Sequence, residues 1–167
     1  MVRKLLWFSV AATTFVAFLF TVGSGVALAQ VVASATGSGQ IHVSGDLRTF
    51  TFNAQTDSSG TTTGQTQAIS RAGGIKWHGT LNCLSVVGNV ATMSGVVTDI
   101  SPATPPFFVV GSPILFQVID NGEGSNPPPD LISLTFFFGT PPGTTCTAPG
   151  LGVFATIPVE HGNVQVH

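Results

Sequence analysis

The sequence predicts an all-β protein: a single antiparallel β-sandwich, immunoglobulin-like or jelly-roll-like, behind a cleaved signal peptide. Three observations predict it. Short segments alternate with a period of two, as where Ile114, Phe116 and Val118 interleave with Leu115, Gln117 and Ile119. Clusters of Gly, Pro, Asn and Asp separate these segments at short intervals. No ten-residue window beyond the leader carries a 3.6-residue period, which argues against an α/β arrangement.

The leader comes first. Arg3 and Lys4 precede an uncharged apolar run from Leu5 to Val22, and Ala27-Leu28-Ala29 then offers small residues at a processing site. Residues 1–29 are therefore expected to be a signal peptide, 30–167 the β domain, and the product secreted. Leu5 to Val22 also just reaches the length of a spanning helix, but Gly23-Ser24-Gly25 and the small-x-small site favour cleavage. The leader holds no cysteine for a lipid anchor, and Val166-His167 offers no apolar tail, so no membrane association is expected after cleavage.

Charged residues make up 7% of the chain, far below the roughly 25% of an average soluble domain. Beyond the leader three basic side chains, Arg48, Arg71 and Lys76, stand against seven acidic ones, a net charge of −4. The surface must therefore be built from Ser, Thr, Asn, Gln and Gly. Without a Lys/Arg cluster, nucleic acid is not an expected partner. An extracellular or cell-surface partner is expected instead, its identity unspecified.

Taken in order, Gln30 to Ala35 is an apolar lead-in that Gly37-Ser38-Gly39 breaks, so the first strand, around Ile41 and Val43, is expected to be short. Leu47 to Ala54 alternates well, with Phe50, Phe52 and Ala54 on the core side and Arg48 near the sheet's end. Gln55 to Gln67 is almost entirely Thr, Ser, Gly and Gln and reads as a loop. Lys76 to Val87 and Val90 to Thr98 form a hairpin around Gly88-Asn89. Within it, Trp77, Leu81 and Cys83 share one parity while Leu84 and Val86 take the other, which implies either a bulge or a strand covered on both faces. Pro102, Pro105 and Pro106 mark a crossing, and Pro113 places Phe107 to Val110 at an edge or a break.

Ile114 to Ile119 and Leu131 to Phe138 then form the central hairpin, with a long acidic tip between them. Val153 to Ile157 and Val164 to Val166 finish the chain, separated by Pro158 and a Gly162-Asn163 turn. Cys83 and Cys146 are the only cysteines, and in an oxidising compartment an isolated pair is more often bonded than free.

Four places together resemble a known family, the post-COAP secreted β-domain proteins of bacteria. They are Gly37-Ser38-Gly39, Cys83-Leu84 with Val87-Gly88-Asn89-Val90-Ala91-Thr92, Asp120-Asn121-Gly122-Glu123-Gly124 with Pro128-Pro129-Asp130, and Gly162-Asn163-Val164-Gln165-Val166-His167. The resemblance implies a secreted, non-enzymatic β domain with Cys83 bridged to Cys146, and it supplies no ligand. His161 departs from it, standing where a small residue is expected before the last turn.

The chemistry-bearing residues are few. His42, His78, His161 and His167 are not spaced to share a metal, since only Glu160-His161 adjoin and neighbours in a strand face opposite ways. No Ser sits in a Gly-x-Ser-x-Gly frame. Asp120, Glu123 and Asp130 could supply the carboxyl pair of a glycosidase, yet one Trp and no Tyr beyond the leader leave little platform for a sugar. The same three residues carry hard oxygens that suit a weak calcium site, while Asp and Asn before Gly equally initiate turns. Phe107-Phe108 and Phe136-Phe137-Phe138 place rings on both faces of their strands, so either a loop such as Pro141 to Pro149 covers one face or that face is an apolar contact patch for a partner or a second copy of the chain. Two functions stay open: a secreted non-catalytic module with a structural or binding role, and a small secreted enzyme acting on an extracellular substrate such as a glycan.

Overall fold

The computed structural model describes residues 30–102, 108–133, 146 and 155–167. The signal-peptide expectation and the rings of Phe107 and Phe136 to Phe138 fall outside them. Among the described residues, nine antiparallel strands run in the order β1 (Val31–Val43), β2 (Asp46–Asp57), β3 (Thr62–Ser70), β4 (Ile75–Val87), β5 (Val90–Ser101), β6 (Pro113–Ile119), β7 (Leu131–Ile132), β8 (Ile157–Pro158) and β9 (His161–Val166). The described residues contain no helix long and apolar enough to cross a membrane.

All nine strands belong to one sheet, ordered β8-β7-β6-β5-β4-β3-β2-β1-β9. The all-β, antiparallel expectation holds, but the two stacked layers of a sandwich are not what the pairing shows. β1 to β7 form a meander in which each strand pairs with the next. The sheet curls, because a pleated sheet with one apolar face must bury that face against something, and here it buries it against itself. Phe52 of β2 meets Phe116 of β6 edge to face at 5.6 Å, although three strands separate them in the sheet. Residues of alternating parity, among them Ile41, Phe50, Phe52, Trp77, Met93, Ile114, Phe116 and Val118, make one interior cluster. Full burial of a side chain of this size contributes about 2 kcal/mol.

The margins of the curled sheet meet along the C-terminal stretch. β8 pairs with β7, and after two residues β9 pairs with β1 from Gln40↔His161 to Ala35↔Val166. This seam explains why β1 is thirteen residues long and not broken at Gly37-Ser38-Gly39. Gly37 and Gly39 point inward, where a Cβ on Gly39 would stand 2.6 Å from the His161 carbonyl oxygen and 2.7 Å from Val159. These glycines permit close approach within a strand and do not end it. Gly162-Asn163 likewise lies inside β9, where a turn was expected.

Other local expectations divide in the same physical terms. Gly88, at φ 61°, opens a two-residue turn between Val87 and Val90, as the Gly-Asn pair implied. The parity change in β4 is a bulge, with a register shift between Leu81 and Cys83. Pro113 takes the first position of β6, where its missing N–H costs least, and Val109 and Val110 lie exposed in the break before it. Gln55 to Gln67 is not a loop: β2 continues to Asp57 and β3 begins at Thr62. Between them the Asp57 carboxylate accepts the Ser59 hydroxyl and the N–H groups of Ser59 and Thr61, all of which hold its pKa below the ordinary value.

Candidate functional site

The acidic tip was the first candidate, and the structure gives its carboxylates a mechanical task. Val164 and Val166 turn their N–H groups away from β1, and these donate to Asp130 Oδ2 at 2.8 Å and Asp120 Oδ2 at 3.0 Å. Asp130 Oδ1 also accepts the Asn121 N–H, Asp120 Oδ1 accepts that of Gly122, and Glu123 Oε1 accepts the Asn163 amide. Asp130 is only 8% exposed. β9 thus lies between a backbone ladder on one side and a pair of side-chain acceptors on the other. Among the described residues no three His, Cys, Asp or Glu groups stand together as a metal cluster.

Cys83 and Cys146 form the disulfide, with Cα atoms 5.9 Å apart. It sits on the outer face of the sheet, because the bulge turns Cys83 away from the core parity. Cys146, 6% exposed, lies over the row Cys83↔Ser94↔Leu115, with its N–H donated to Cys83 Sγ at 2.9 Å. The bridge therefore fastens residue 146 over β4 and β5.

The histidines are dispersed. His42 Nδ1 stands 2.8 Å from the Glu160 carboxylate, across the seam, with both side chains about half exposed. His161 lies on β9 and His167 follows it, both exposed. Phe108 packs edge to face on Trp77 at 5.9 Å and is partly buried against the core. At the inward-facing end of β2, Asp46 accepts the Ser70 hydroxyl at 2.6 Å, the Ala72 N–H at 2.8 Å and Arg48 Nε at 2.9 Å. Those donors, the Ser70 hydroxyl foremost, lower its pKa from 3.8 to about 2.

His78 belongs to a feature that sequence reasoning missed. On the outer face of β2, β3 and β4, strand register sets Thr51↔Gln67↔His78 in one row and Asn53↔Gln65↔Thr80 in another. Between them runs Phe52↔Thr66↔Gly79, whose side chains face the core, so only backbone floors the space above it. The result is a groove of about 430 Å³ crossing the strands, with Thr98 of β5 also in its lining. A second groove of about 380 Å³ lies alongside, lined by Asn53, Gln55, Thr63, Gly64 and Gln65, so the Asn53/Gln65 row serves both as a wall. Asn53 Oδ1 takes the Gln65 backbone N–H at 2.9 Å. The side chains of Thr51, Gln65, Gln67, His78, Thr80 and Thr98 have no hydrogen bond among the described residues. The available signal was the unbroken run of Thr, Asn and Gln at alternate positions of two neighbouring segments, one of which reads as a loop by composition.

No protein-family model, no curated protein and no solved structure matches this chain.

Proposed function

We propose that the chain is an exported, non-catalytic β module that works by binding, through the outer face of β2, β3 and β4. The observation that supports this reading is the groove itself: uncharged hydrogen-bonding side chains with unspent capacity, mounted on strands paired on both sides. Groups on such strands are held more rigidly than groups on loops, so little ordering accompanies contact. The acidic tip, the obvious alternative, has Asp120 and Asp130 committed to the β9 backbone and Glu123 to the Asn163 side chain. The leader and the Cys83–Cys146 bridge fit an oxidising, extracellular setting.

A turnover assay tests this reading. Purified protein is incubated with a broad panel of glycoside, ester and peptide substrates, and no product is expected from any of them. Product formation that Asp120→Asn together with Asp130→Asn abolishes, while the protein stays folded, would make the chain a carboxylate-dependent enzyme instead.

A further inference from the structure

We infer that the groove across β2, β3 and β4 takes a neutral, linear oligosaccharide; this rests on the binding-module reading above. Charge narrows the ligand class first. No Lys, Arg, Asp or Glu lines either groove, so no permanent charge there would pair with a phosphate, a sulfate or a uronic acid, and His78 is the one ionisable side chain. What lines the first groove is hydroxyl, primary amide and imidazole. Hydroxyls and amides donate and accept at once, which is the character of a sugar's own hydroxyls.

Shape narrows it further. Flanking rows two residues apart along a strand leave a trough roughly 7 Å across. An α-helix with its side chains, about 10–12 Å in diameter, is too wide to enter. An extended peptide seeks a sheet edge for its backbone and pockets for alternate side chains. Here β2, β3 and β4 have both edges paired, and Phe52, the one large apolar residue of the lining, turns its ring to the core. A single saccharide chain needs neither an edge nor an apolar pocket. The second trough, sharing the Asn53/Gln65 wall, extends the same chemistry along the face and suits a multi-residue glycan over a monosaccharide. Without an aromatic platform, affinity rests on hydrogen bonds exposed to water, and a Kd on the order of 1 mM is expected.

The test is a titration of the isotope-labelled protein, followed through the side-chain amide signals of Asn53, Gln65 and Gln67. The ligands are linear neutral hexaoses of glucose, mannose, xylose and galactose, beside an oligogalacturonate and a neutral Gly-Ser peptide. At least one neutral hexaose should move these signals, and Gln65→Ala combined with Gln67→Ala should weaken binding about tenfold without changing the melting temperature. If no neutral hexaose moves them, if the shifts map elsewhere, or if the oligogalacturonate or the peptide is preferred, the inference is overturned. A peptide seated in the groove would remove the glycan and keep the binding module. Cleavage of a bound hexaose would do the reverse.

Discussion

Asp46 and Gly39 show how much of this fold rests on single positions. Asp46 is an acid on the inward face of a strand end, tolerable because Ser70, Ala72 and Arg48 all donate to it. Its pKa is depressed in the folded state, so its stabilising effect is complete above the ordinary aspartate range and is lost as pH falls toward 2. Thermal melts between about pH 4 and about pH 2 should therefore fall less steeply for Asp46→Asn than for the wild type, with the residual slope coming in part from Asp57. Gly39 makes a steric counterpart. Gly39→Ala drives a methyl at the His161 carbonyl, which the β1–β9 ladder holds in place, and should cost about 2 kcal/mol in urea unfolding. Ser38→Ala, at an exposed neighbour, should change stability by less than about 0.5 kcal/mol.

Among the elements, β9 depends most on its surroundings. Its outward N–H groups find carboxylates where a further strand would have supplied carbonyls, and so the acidic tip finishes the sheet. Asp130→Ala would strand the N–H groups of Asn121 and Val164, at a cost of about 3 kcal/mol. Hydrogen exchange should show it as lost protection at Val164, with β2 to β4 unaffected. Millimolar calcium is expected to leave the melting curve of the wild type unmoved; a rise that Asp120→Ala abolishes would return the tip to an ion site. The disulfide is the other fastening. Replacing Cys83 and Cys146 together by Ser releases a loop with a sequence separation of 63, worth about 4 kcal/mol in the chain-entropy model.

These elements also show where sequence is legible and where it stops. Gly88-Asn89 and the parity change beside Cys83 could be read because each is a local event, set by backbone preference or by side-chain alternation. Gly37, Gly39 and Gly162 are ambiguous in sequence because glycine marks both a turn and a close contact, and only the partner strand distinguishes them. Thr62 to Gln67 looked too polar to order, but a strand with paired neighbours on both sides needs only its inward positions, here Thr66 and Ala68, to be buried.

At the scale of the molecule, the described residues form a sheet that curls to use one face as its core and, over β2, β3 and β4, leaves the other to water. With so few charges, that outer face must be built from Thr, Asn and Gln, and register alone decides which of them stand together. The groove is therefore a product of topology: the sequence supplies the side chains, and the pairing of β2 with β3 and β3 with β4 brings them into rows. The acidic tip lies on other elements, and the disulfide joins β4 at Cys83, beyond the groove residues His78 to Thr80, so damage to either should lower stability while leaving the groove's chemistry intact. Electrophoresis through a gel cast with a neutral polysaccharide tests this most directly. Wild-type protein and Asp120→Asn should both be retarded, while Gln65→Ala with Gln67→Ala should run as it does in a plain gel; equal mobility of wild type and groove variant in the polysaccharide gel would contradict binding through this face.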